Sequence, residues 1–96
     1  MKSKINENSG LVKAAEQMGK NEKIQQEANN LINQYISGNT NPGLGTKNLL
    51  NDIYYLRGAN GARVFYRIVN EVMEILAKAD KSNEAKVIKI LINLYK

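Results

Sequence analysis

Apolar residues recur at two different periods along this chain, and the change of period divides it. Leu11, Val12, Ala15 and Met18 follow helical spacing, and Gly19 can end that helix in a left-handed conformation. A second helix is predicted from Asn21, which suits an N-cap, with Ile24, Ala28, Leu31, Ile32 and Tyr35 on one stripe and Gly38 as the stop. From residue 53 the period falls to two. Residues 53–81, IYYLRGANGARVFYRIVNEVMEILAKADK, read as three short antiparallel strands divided by turn signals at Asn60-Gly61 and Asn70-Glu71. Helical spacing returns after Ser82, a candidate cap, with Val87, Ile88, Leu91, Leu94 and Tyr95 on one face. Ile88, Ile90, Ile92 and Leu94 also alternate as a strand would, and length without a turn signal selects the helix. The expected fold class is therefore α+β: two N-terminal helices packed on a small antiparallel sheet of three or four strands, followed by a C-terminal helix. Within one domain, residues 1–10 are expected to be flexible, 11–38 helical, 39–52 a loop, 53–81 the sheet and 82–96 a helix.

The turns set the register. A two-residue loop at Asn70-Glu71 pairs Val69 with Val72, Arg67 with Glu74, Phe65 with Leu76 and Arg63 with Lys78. Val64, Tyr66, Ile68, Met73, Ile75 and Ala77 then share an apolar core face, and Arg63, Phe65, Arg67 and Lys78 form a basic and aromatic stripe on the other. That stripe is either a solvated face or a binding surface. At the first hairpin, a two-residue loop pairs Arg57 with Val64 on the core side, while a three-residue loop over Ala59, Asn60 and Gly61 pairs Arg57 with Arg63. The longer loop is preferred, because an arginine is seldom fully buried without a partner.

Composition narrows the chemistry. Ninety-six residues, 43% hydrophobic and 24% charged, suit a single ordinary soluble domain. No apolar run is long enough to span a membrane, and the start MKSKINENSG has no hydrophobic segment of the secretion-signal kind. With no cysteine and no histidine, disulfides, thiolate metal sites, the commonest zinc ligand and the usual neutral-pH acid/base are excluded, which leaves lysine, arginine, tyrosine and carboxylates for any catalysis; the expectation is of no metal site and no cofactor. Net charge is +5, and it is uneven: residues 1–40 hold five basic and four acidic residues, residues 57–96 eight and four. The excess sits in the sheet and last helix, which fits a polyanionic partner.

Two motifs are set aside. The first two helices could form a helix-turn-helix, but the second exposes the amides Gln25, Gln26, Asn29, Asn30 and Asn33 with little positive charge for phosphates. In SGNTNPGLGTK the spacing of Gly38 and Gly43 is that of a phosphate-binding loop, but Leu44 stands where that motif needs lysine and no strand precedes it. What survives is a connector whose Gly43, Gly45 and Thr46 could offer N–H groups to a phosphate beside Lys47.

The ordered fragments NPGLGTK, LRG…GARVFYR and ILAKADKSNEAKVIKIL resemble RelE-like toxins and the wider barnase, colicin D and RelE (BECR-fold) ribonucleases. Leu56-Arg57, Gly61, Ala62, Arg63 and Val64 to Tyr66 look like that family's leucine-arginine, turn, glycine, arginine and β-rich run, and Lys78-Ala79-Asp80-Lys81 like its closing basic segment. The similarity covers about residues 47–91 and is closest to the C-terminal nuclease modules of bacterial polymorphic or contact-dependent inhibition toxins. Two departures stand out. The tyrosine that some relatives carry near the final basic residue is here as distant as Tyr95, and the histidine of colicin D-like enzymes is missing.

The resemblance implies a metal-independent endoribonuclease acting on tRNA or mRNA. In that chemistry the ribose 2′-OH attacks the adjacent phosphate, leaving a 2′,3′-cyclic phosphate and a 5′-hydroxyl. Charge on the transition state must be stabilised and protons moved. Arg63, helped by Arg57 or Arg67, suits the first task, because a guanidinium holds two phosphate oxygens and stays protonated. Crowded cations make a lysine a usable acid or base. Lys78 and Lys81 are the candidates, with Lys47 as the alternative. Candidate proton donors are Tyr66 and Tyr55, although the register gives Tyr66 a packing role. Lys47, Thr46, Phe65, Arg67 and Asn83 are candidate substrate contacts, Phe65 by stacking on a base. Arg67 also reads as a simple ion pair with Glu74, Glu74 as an alternative base, Asn83 as a first-turn residue, and Lys86 and Lys89 as solvated surface. The implied partners are RNA, an acidic immunity or antitoxin protein over the basic face, and a translation factor or ribosome. The implied location is the bacterial cytoplasm, reached as part of a larger secreted toxin. A non-catalytic nucleic-acid-binding domain, or a module that docks an acidic protein, would use the same stripe.

Overall fold

A computed structural model describes residues 2–39 and 43–95. In chain order these form β1 (Lys2–Ser3), a 3-10 turn (Ile5–Glu7), α1 (Ser9–Gly19), α2 (Glu22–Ile36), β2 (Thr46–Leu50), β3 (Ile53–Arg57), β4 (Arg63–Val69), β5 (Val72–Ala79) and α3 (Glu84–Tyr95). The five strands make one sheet, ordered β1-β5-β4-β3-β2. β1 runs parallel to β5 and every other pairing is antiparallel. The α+β class holds, but the detail is corrected: the sheet is mixed, has five strands, and lies in the middle of the molecule with helices on both faces.

Both extra strands come from segments read as irregular. Lys2 and Ser3 pair with Glu74 and Ile75, Ile5 is buried, and the Asn8 side chain caps α1 by accepting from the N–H groups of Gly10 and Leu11, so residues 2–8 are not a frayed end. β2 occupies the latter part of the expected loop, of which residues 40–42 lie outside the described residues. Asn21 caps α2 as expected, accepting from Lys23 and Ile24 N–H. Ser82 does not cap α3. The helix opens with the bond from Val87 N–H to the Asn83 carbonyl, and Ser82 bonds the Asp80 carboxylate.

Register explains which faces exist. Arg57 pairs with Arg63, as the longer first loop requires. At the second turn Asn70 and Glu71 both take positive φ, 50° and 67°, and Val69/Val72 and Arg67/Glu74 pair as expected. Beyond Tyr66/Ile75 the register shifts, and Phe65 meets Ala77, Val64 meets Lys78 and Arg63 meets Ala79. Leu76 is the extra residue of a bulge. One inserted residue turns every later side chain to the other face. Lys78 therefore shares the face of Val64, opposite to Arg63, which corrects its place in the basic stripe.

One face of the sheet carries Tyr55, Arg57, Arg63, Phe65 and Arg67. Along it lies α3, whose Glu84 meets Arg63 and whose Tyr95 ring lies 5.1 Å from the Arg67 guanidinium. The other face carries Tyr54, Leu56, Val64 and Tyr66 and receives α2, with the Tyr35 and Tyr66 rings 4.9 Å apart. Covered from both sides, β4 buries Val64 and Phe65 completely. Each such side chain stabilises the fold by about 1.5–3 kcal/mol.

Candidate functional site

The β3–β4 turn is held from both sides, and the remaining chemistry gathers around it. Within the turn, Gly58 N–H donates to the Ala62 carbonyl at 2.9 Å and Gly61 N–H to that of Gly58 at 3.2 Å. From α2, the Glu27 carboxylate accepts from Asn60 N–H at 2.9 Å and Ala62 N–H at 3.0 Å. A Cβ on Gly58 would stand 2.1 Å from Glu27 Oε1, so only glycine leaves room for that carboxylate. From the opposite side, Arg63 Nη1 donates to the carbonyls of Ala62 at 2.9 Å and Gly58 at 3.3 Å, and Nε donates to Glu84 Oε1 at 2.9 Å. Neither carboxylate was singled out from the sequence. Glu84 in the first turn of α3 is where a helix favours an acid, but nothing local tied it to Arg63 or Glu27 to the turn.

Arg57, a half-buried residue, stands directly across from Arg63 on the same face. Its Nε is buried and is the one buried side-chain polar atom without a hydrogen-bond partner among the described residues. Like charges facing each other across strands destabilise a sheet, and Glu84 pairs with only one of these two. An anion would relieve both the repulsion and the unpartnered donor. Lys81, exposed, runs beside the turn, its Cγ 3.3 Å from where a Gly61 Cβ would stand. One strand further out, exposed Lys47 pairs with Tyr55, whose half-buried ring is backed by Phe65 at 5.0 Å. Lys47, Tyr55, Arg57 and Lys81, with Arg63 behind, thus form a basic surface with one aromatic ring where α3 begins.

The other candidates lie elsewhere. Phe65 is fully buried and cannot stack on a base. Arg67 is held by Glu74 at 3.0 Å, a hydrogen bond that raises the guanidinium pKa further, and by the Tyr95 ring. Glu74, itself buried, is engaged in the same pair rather than open as a base. Thr46 pairs with Leu56, on the face opposite to Arg57, and hydrogen-bonds Tyr66. Tyr66 is buried there, and burial, then its bond with Tyr35, pushes its hydroxyl pKa up, which fits packing and not proton transfer. Asn83 is buried as a staple: its Oδ1 accepts from Asp80 N–H at 2.9 Å and its Nδ2 donates to the Ala14 carbonyl at 3.3 Å. Half-buried Lys78 has its pKa lowered by burial, on the wrong face for this surface.

Comparisons with protein-family models, with curated proteins and with solved structures found no match. Among the described residues, no group of three or more His, Cys, Asp or Glu could hold a metal ion, and no helix is long and apolar enough to cross a membrane.

Proposed function

We propose that this domain is a metal-independent endoribonuclease whose working surface is Lys47, Tyr55, Arg57 and Lys81, with Arg63 holding the turn behind them. The observation that carries the reading is Arg57, a half-buried arginine with an unpartnered Nε facing a second arginine. A scissile phosphate drawn to that cation would balance its charge. Arg57 takes over from Arg63 the task of stabilising charge on the five-coordinate phosphorus, since its fork is free to hold phosphate oxygens as the 2′-OH attacks. Lys81 and Lys47 flank it as candidates for removing the 2′-OH proton, and Tyr55 as a donor to the leaving 5′-oxygen. An acidic inhibitory protein would bind the same surface, and in the toxin reading the module acts in the bacterial cytoplasm on tRNA or mRNA.

A second reading, non-catalytic RNA binding, is favoured by one fact: the Nε and Nη1 donors of Arg63 are already engaged within the fold. End-group analysis separates the two. Purified domain incubated with total RNA in EDTA should yield discrete fragments with cyclic-phosphate and 5′-hydroxyl ends. Retarded but intact RNA, released by salt, would select binding alone.

A further inference from the structure

We propose that the groove between α2 and the β3–β4 turn is a base-recognition pocket that takes an adenine of the RNA; this rests on the ribonuclease reading above. The groove encloses about 420 Å³, within the range of small-ligand sites, and shares the turn with the cationic surface. Its helical wall presents Gln26, Asn30 and Gln34, spaced so that they stack along one side of α2. Among the described residues these three carboxamides make no side-chain hydrogen bond, whereas neighbouring Gln25 and Asn29 satisfy each other at 3.1 Å. The opposite wall is the chain at Gly43, Gly58, Ala59 and Asn60, with the Glu27 side chain lying against Gly58. A Cβ at Gly43 would stand 2.6 Å from the Arg57 carbonyl and 2.8 Å from Leu31 Cδ2, so the close approach there requires glycine. Buried Leu31 forms an apolar floor.

This is the lining of a slot for a flat, neutral, hydrogen-bonding ring. The groove's charged residues, Lys23 and Glu27, balance, and Glu27 is occupied by the turn, so the groove does not select an anion. A carboxamide offers a donor and an acceptor side by side, the complement of adenine N7 and N6. Gly58, Ala59 and Asn60 line the groove, while Arg63 and Lys81 back the same turn from its other side. A phosphate on Arg57 and a base against Gln26, Asn30 and Gln34 would thus straddle one turn, as parts of neighbouring nucleotides can.

The test is an NMR titration of the ¹⁵N-labelled domain with inorganic phosphate, adenosine and uridine in separate series, repeated on an Asn30→Leu, Gln34→Met variant. Phosphate should shift Arg57 Nε and the Gly61 amide. Adenosine should shift the Gln26, Asn30 and Gln34 side-chain amides, binding about five-fold or more tightly than uridine, the lower end of what one bidentate contact gives. That preference should vanish in the variant while the phosphate response persists. A phosphate response with no adenosine response, or with adenosine and uridine alike, overturns the pocket and leaves the ribonuclease surface standing. No response to phosphate in any series overturns the surface on which the pocket depends.

Discussion

Replacing Arg63 should cost stability before it costs anything else. In Arg63→Met the chain length is kept and three hydrogen bonds are lost: Nε to Glu84 at 2.9 Å, and Nη1 to the Ala62 and Gly58 carbonyls at 2.9 and 3.3 Å. Removing one partner of a buried ion pair costs about 3–5 kcal/mol. Two facts pull this site below that range. The Glu84 side chain is 25% exposed and can recover water, and both carbonyls keep a second donor, from Gly58 and Gly61 N–H. A loss of about 2–4 kcal/mol follows, which for a domain of this size lowers Tm by roughly 10–20 °C. Thermal unfolding by circular dichroism, run on Arg63→Met, Glu84→Gln and the double variant, checks both size and cause. A coupling of about 1 kcal/mol or more between the two sites is expected. A Tm change under about 3 °C, or strictly additive losses, would refute the clamp and return Arg63 to the free cations.

Gly58→Ala should displace the Glu27 carboxylate and cost about 1.5–3 kcal/mol in urea denaturation, with little further loss on adding Glu27→Ala, because both remove the same two bonds. Glu71→Gly should raise Tm by a few degrees, since Glu71 sits at φ 67° in a turn that favours glycine there. Lys78→Met should stabilise the fold at pH 7. Burial lowers the folded-state pKa of Lys78, so the charged form carries its penalty below that pKa, and the penalty fades as pH rises through it toward the ordinary value of 10.5. The gain, followed by Tm against pH, should therefore shrink toward alkaline pH; a gain that is constant or grows would contradict the placement of this lysine.

The strands, turns and buried stripes were legible because each is announced by neighbours in sequence. Asn21 and the Asn70-Glu71 turn are of this kind, and so is the pairing of Arg57 with Arg63 once a buried, unpartnered arginine is disfavoured. What was hidden depends on distance or on one residue. Leu76 is as apolar as its neighbours, so alternation could not show that it is inserted, yet it sends Lys78 to the other face. Glu84 and Tyr95 come from another element to cover Arg63 and Arg67, so a stripe that looked open lies under a helix. β2 was masked by the glycines before it and by its own Lys47 and Asn48, whose polarity suits an edge strand as well as a loop. Of the residues expected at the site, Lys47, Tyr55, Arg57 and Lys81 thus stay together on one surface, whereas Phe65, Arg67 and Lys78 lie under α3 or on the other face.

The most direct test compares RNA cleavage by the native chain, Arg57→Ala and Arg67→Ala, each confirmed folded by circular dichroism. If Arg57 holds the scissile phosphate, cleavage should fall by about a hundred-fold or more in Arg57→Ala, the loss typical of one preorganised transition-state donor, while Arg67→Ala cleaves at nearly the native rate. Equal rates for the native chain and Arg57→Ala, or loss only in Arg67→Ala, would contradict the assignment of this surface.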